Sequence, residues 1–100
     1  MILMDQRRIA RFKGRLVQTA HLMSDLPGEA GTAELDAFAR RIGIRTKWRQ
    51  NSGTETEHYD LFGSRLDQAA DAGAVVVTGR ELIERVVFPK RKARTGGVPS

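Results

Sequence analysis

Short apolar runs alternate with amphipathic stretches along this chain. Ile2-Leu3-Met4 is a continuous apolar run that stops at Asp5, the pattern of a buried strand. Residues 6–15 read as a basic connection containing Gly14. From Leu16 to Met23 two readings compete. A strand places Val17, Thr19, His21 and Met23 on one face, whereas a helix gathers Leu16, Ala20 and Met23. The preceding Gly14 and the β-branched Val17 and Thr19 favour the strand. Ser24 to Gly31, with Pro27 and Gly28, reads as a loop. Thr32 is then a plausible helix cap, followed by Leu35, Phe38, Ala39 and Ile42 at the i, i+3, i+4, i+7 spacing of one apolar helix face. Gly43 fits the left-handed residue that closes such a helix, and Ile44 folds back onto it.

Arg45 to Gln50 fits a strand, with Trp48 read as a core anchor, and Asn51 to Thr54 is a turn. Glu57 to Phe62 predicts a strand with His58, Asp60 and Phe62 on one face and Tyr59 and Leu61 on the other. Ser64, with Asp67 in the capping-box position, starts a helix whose apolar face is Leu66, Ala69 and Ala70 and which ends at Gly73. Ala74 to Val77 is the clearest strand. Thr78 and Glu81 form another capping-box pair, Leu82, Ile83, Val86 and Val87 give the last helix its buried side, and Pro89 limits it. Helices alternating with short apolar strands predict an α/β fold: a single small domain over residues 1–88 with a short, mostly parallel sheet and about three helices. Residues 89–100 are expected to be a flexible, disordered basic tail.

The 100 residues contain no cysteine, which excludes disulfides and thiolate metal sites. The apolar runs are too short to cross a membrane, and Asp5 arrives too early for a signal peptide, so a cytoplasmic protein is expected. The net charge of +5 comes in blocks. Residues 1–15 carry five basic groups against one acid, residues 40–49 carry five and no acid, and residues 89–100 carry four and no acid. The stretches between them are acidic. Such blocks suit phosphate or an acidic partner, or are solvated faces.

The histidines carry the most chemistry. There are only two, and each has an aspartate nearby: His21 with Asp25, and His58 with Asp60. If the segments meet, the four side chains form one cluster able to hold zinc or manganese or to move a proton; a purely structural hydrogen bond is the plainer alternative. Ser24 and Ser64 are the nucleophile candidates, but no Gly-x-Ser-x-Gly elbow surrounds either. There is no Walker sequence, although Ser64 and Arg65 at a helix start offer an anion site. Nucleic-acid contacts, if made, fall to Arg45, Lys47, Arg49, Lys90, Arg91, Lys92 and Arg94, with Trp48 stacking on a base if exposed.

The order and spacing of several motifs carry a family resemblance. They are Ile2-Leu3-Met4-Asp5, His21-Leu22 with Ser24-Asp25, Glu34-Leu35 with Ala37-Phe38-Ala39, Ile42-Gly43, Trp48 with Gln50, His58-Tyr59-Asp60, Ala72-Gly73-Ala74 and Gly79-Arg80-Glu81-Leu82. On these the chain resembles a small bacterial and phage family known only as a domain of unknown function. The family often has a histidine where this chain has Asp36, and the loop from Leu26 to Gly31 is longer here. The resemblance implies a compact α/β domain with histidine and aspartate motifs as its signature, and no activity. The residues therefore leave three functions open. One is a small binding or accessory protein that engages an anionic partner, nucleic acid or nucleotide, near the His/Asp cluster. Another is a small metal-dependent hydrolase of a phosphate-containing substrate. The last is a phage or mobile-element protein that binds an acidic host protein.

Overall fold

A computed structural model describes the chain over residues 1–96, with side chains through residue 93. Strand β1 (Ile2–Asp5) is followed by β2 (Arg8–Phe12), which turns back through Lys13-Gly14 into the long β3 (Arg15–Ser24). Both turn residues have positive φ, 51° at Lys13 and 76° at Gly14. That backbone twist matches the twist of a two-residue hairpin. The segment read as a basic connection is thus a strand and a tight turn. It escapes the hydrophobic pattern because β2 is solvent-exposed over most of its length.

The hairpin also corrects the expected sheet. β3 pairs antiparallel with β1, β2 and β4 (Tyr59–Phe62), and only β5 (Val75–Val77) lies parallel, against β1. The sheet is mixed and mostly antiparallel. The register slips by one residue between Met4↔Leu22 and Arg8↔Thr19, so Asp5, Gln6 and Arg7, where β1 passes into β2, stand against only Ala20 and His21 of β3. This bulge frees the Asp5 side chain to answer the His21 main chain.

One sheet face carries Ile2, Met4, Ala20, Leu22, Tyr59 and Leu61, and is covered by helices α1 (Gly28–Arg41) and α2 (Ser64–Asp71) through Leu35, Phe38, Ala39, Leu66 and Ala69. The other face carries Leu3, Met23 and Val77 under Leu82, Val86 and Val87 of the C-terminal helix. That helix starts as α3 (Gly79–Leu82), widens into a π-helical turn (Ile83–Val87) and continues as α4 (Phe88–Gly96). The Thr78–Glu81 capping box forms as expected. Pro89 does not end the helix. The Phe88 N–H bonds back to the Ile83 carbonyl, five residues earlier, and this wider turn accommodates a residue that has no N–H to give. The expected tail is therefore helical to Gly96, Lys90 is buried, and residues 97–100 lie outside the described residues.

Three other expectations change. α1 begins at Gly28, so the loop expected to reach Gly31 ends sooner and Thr32 lies inside the helix, where its hydroxyl donates to Glu57 at 2.9 Å instead of capping. Ser64 is the first residue of α2 rather than its cap; Gly63 takes that place at φ 57°, and Asp67 pairs with Arg7. Residues 45–50 are not a strand but a 3₁₀ turn (Thr46–Trp48), with only Gln50 bridging to His58. Here Trp48 is 62 % exposed and not core. Arg49 is the inward anchor of this segment, held by Asp36 and by Glu57 at 3.6 Å. The C-terminus of α1 closes as expected: Gly43 stands at φ 80°, and the Ile44 N–H returns to the Ala39 carbonyl at 2.8 Å. No helix among the described residues is long and apolar enough to cross a membrane.

Candidate metal centre

His21 and Asp60 are cross-strand partners in the β3–β4 ladder, and His58 stands two residues before Asp60. Pairing across the ladder and alternation along it therefore put all three on one sheet face. The apolar helices α1 and α2 cover the opposite face. The face with the histidines is covered only as far as the C-terminal helix reaches. At that boundary a cleft of about 300 Å³ opens between Asp5, Arg8, His21, His58 and the helix residues Leu82 and Val87.

Ligand atoms of His21, His58 and Asp60 lie within 4.8 Å of one another. Asp60 Oδ1 is 3.3 Å from His58 Nε2 and 3.7 Å from His21 Nε2. Two ligands of a tetrahedral zinc stand about 3.4 Å apart, given metal bonds of about 2.1 Å, so these two edges are close to the size such an ion requires. The two rings meet edge to face with centroids 5.1 Å apart.

The far side of each ring is occupied. His58 Nδ1 lies 2.7 Å from the Thr56 carbonyl, which only accepts, so this nitrogen carries the hydrogen. His21 Nδ1 lies 2.9 Å from Asp5 Oδ2. Burial favours the neutral carboxyl of Asp5, but the His21 ring and main-chain N–H groups, with Arg8, outweigh it and hold Asp5 below the usual carboxylate range. Asp5 is therefore an acceptor, and His21 also presents its bare Nε2 to the cluster. Asp5 Oδ1 takes the His21 main-chain N–H at 2.7 Å, which fixes the ring's origin as well as its tautomer. Gln50 donates to Asp60 Oδ2 at 2.5 Å, leaving Oδ1 for the cluster. All three side chains are thus oriented by an outer partner, as metal ligands characteristically are.

Arg8 complicates the site. Its half-exposed guanidinium reaches Asp5 at 3.4 Å and comes within 2.9 Å of His21 Nε2. The same Arg8 nitrogen lies 2.7 Å from His21 Nδ1, so it rests over the ring face, and its positive charge opposes a metal ion at the cluster until Arg8 swings outward.

Asp25, expected in the cluster, is elsewhere. It pairs with the N-terminal amine of Met1 at 2.8 Å. Four residues along an extended strand separate it from His21 by about 13 Å. Ser24 is buried and donates to Glu34, so it is no nucleophile here. Arg65 lies beside Asp60 in a neighbouring groove, whereas Ser64 does not line it. Of the expected nucleic-acid contacts, Arg45 lines that groove and Lys47 lies over the Trp48 ring. Arg49 and Lys90 are withdrawn into the fold, and Arg91 pairs with Glu55. Lys92 is exposed, and the Arg94 side chain lies outside the described residues. The pattern-based reading missed Asp5, Arg8 and Gln50. The signals for Asp5 were an acid closing a buried apolar run and its place in the family motif Ile2-Leu3-Met4-Asp5.

A family model described as a protein of unknown function (DUF4031) matches residues 2–88. The chain belongs to this family. The match spans all of the cluster, Asp5, Arg8, His21, Gln50, His58 and Asp60, so the site lies within the DUF4031 domain itself. No curated protein and no solved structure matches the chain.

Proposed function

We propose that this DUF4031 domain binds a divalent metal ion, zinc or manganese, through His21, His58 and Asp60, and uses it to hydrolyse a phosphate-containing substrate. The observation that carries the reading is the shared orientation of the two imidazoles. Both Nδ1 hydrogens are engaged by acceptors outside the cluster, and both Nε2 atoms face the same carboxylate oxygen. A pair of structural histidines needs no such common tautomer.

His21, His58 and Asp60 would hold the ion, and three protein ligands are the number typical of catalytic rather than structural metal sites. Held there, the ion would supply Lewis acidity and an activated water for attack on a phosphate ester. Hydrolysis would form one P–O bond from water and break one P–O ester bond, with the water's proton passing to the departing oxygen. Arg8, half-exposed at the mouth of the cleft, is suited to follow the phosphate as it leaves the His21 ring. A second reading, an anion-binding domain that works without metal, draws on the same Arg8, whose cation already lies against the His21 ring.

The test is calorimetric titration of chelator-treated protein with zinc and manganese, with hydrolysis of an activated phosphodiester such as bis(p-nitrophenyl) phosphate measured alongside. The metal reading expects one ion per chain, lost in His58→Ala and His21→Ala while the fold persists, and metal-dependent turnover. Arg8→Ala should tighten metal binding by removing a like charge and weaken substrate binding. Folded protein that takes up no metal would refute the reading in favour of the metal-free one. Metal uptake without turnover would remove the hydrolytic step.

A further inference from the structure

Asp60 borders a second concavity. A groove of about 470 Å³, with no residue of the C-terminal helix in its lining, runs between the β hairpin, the 3₁₀ turn and the start of α2. Three of its walls are aromatic. Trp48 is 62 % exposed, Phe12 48 % and Phe62 38 %, and the Phe12 and Phe62 rings stand 5.1 Å apart. None of the three belongs to either hydrophobic core. The cations of the groove are Arg45 and Arg65. Arg45 has no salt-bridge partner among the described residues, and Arg65 donates only to the neutral Gln68, at 2.6 Å. Asp60 is the one acid in the lining, and its Oδ1 is already turned to the histidines.

Exposed aromatic rings, with Lys47 over one face of Trp48 and Lys13 over one face of Phe12, beside arginines that have no carboxylate partner among the described residues, are the surface that an unstacked base and its phosphate require. An apolar peptide would make no use of the arginines, and a duplex hides the base faces that the rings would take. We infer that the groove binds single-stranded nucleic acid, with a base stacked on Trp48, the backbone on Arg45 and Arg65, and the next phosphate led past Asp60 to the histidine cluster. The last step rests on the metal reading above; the stacking and the arginine contacts do not.

Local structure explains why Trp48 is presented outward. Arg49 turns inward to Asp36 and Glu57 and pins the segment, while the preceding 3₁₀ turn lifts Trp48 clear of the sheet. Gly43, at φ 80°, leaves room for the Arg65 guanidinium, which lies 3.4 Å from where a Cβ would stand. The hairpin adds Arg11, Lys13 and Arg15, all exposed, on the approach past Phe12.

Trp48 is the only tryptophan, so the groove carries its own reporter. The experiment titrates the full chain, in chelator and at low salt, with a short oligothymidylate, an oligouridylate, a DNA duplex and thymidine monophosphate. It reads tryptophan emission, and anisotropy of labelled strands. The expected result is quenching by the single strands, with much weaker effects of the duplex and the mononucleotide, and affinity that falls steeply with salt. Trp48→Ala should weaken anisotropy-detected binding by roughly ten- to a hundredfold, with Trp48→Phe recovering most of it. Arg45→Ala should weaken binding and flatten the salt dependence. Strand binding is read in chelator and metal uptake is read without strand, so the groove and the metal centre fail separately. No quenching by folded protein, equal binding of duplex or mononucleotide, or full affinity in Trp48→Ala would each overturn the inference.

Discussion

Replacing Asp5 by asparagine separates a metal site from a hydrogen-bonded histidine pair. The side chain is 4 % exposed, and its two oxygens accept the His21 main-chain N–H at 2.7 Å and His21 Nδ1–H at 2.9 Å. Asparagine is nearly isosteric but keeps only one acceptor. With its oxygen on the main-chain N–H, its amide group faces Nδ1, and a donor there requires Nδ1 to accept. The His21 hydrogen then moves to Nε2, the atom meant for the metal. Two charge-assisted bonds become neutral ones, and each conversion costs about 1 kcal/mol, so the fold should lose about 2 kcal/mol in urea unfolding without metal. Metal affinity should fall by about 10- to 100-fold, the usual cost of removing an outer partner of a ligating histidine. Calorimetric zinc titration measures the second effect, and ¹⁵N shifts of the imidazole nitrogens report the tautomer. Zinc affinity equal to that of the wild type, or a ring that keeps its hydrogen on Nδ1, would refute the reasoning that Asp5 sets the ligand.

Phe38 lies in the main core under α1, and Phe38→Ala should cost about 3–5 kcal/mol in urea unfolding; an unchanged midpoint would mean that this helix face is not a packing face. Burial works to raise the Asp36 carboxyl, but Arg49 and the Tyr59 hydroxyl overcome it and hold it low. Its contribution to stability is therefore full above the unfolded value of about 3.9 and is lost as pH falls through the lower folded value. Asp36→Asn should be less stable at neutral pH and show a shallower acid decline than the wild type, as followed by urea titrations at several pH values. Burial lowers the Lys90 ammonium against the opposing pull of Glu57, Asp25 and Glu34. The folded chain thus sheds this proton before the unfolded one, so wild-type stability should rise with pH toward about 10.4. Lys90→Met should raise the melting temperature at neutral pH and remove that rise.

The helix face of Leu35, Phe38, Ala39 and Ile42, the glycine closure at Gly43, the capping box at Thr78 and Glu81, and the alternation of His58 to Phe62 were all legible in the sequence. Each is a local rule: a side chain's period or a cap's chemistry is set within a few residues. Sheet direction was not legible, because it hinges on a two-residue turn inside a basic segment whose strand has little apolar pattern to show. Pro89 misled for a related reason, since a widened turn upstream, invisible in composition, let the helix continue. The sequence singled out His21, His58 and Asp60 by rarity and spacing, but it offered Asp25 on equal terms. The antiparallel pairing of β3 with β4 kept Asp60 with the histidines, and tertiary structure put Asp5, not Asp25, against His21. The exposure of Trp48 was likewise decided in three dimensions. Which of two neighbours turns inward depends on the partners it finds there, and Asp36 and Glu57 claimed Arg49.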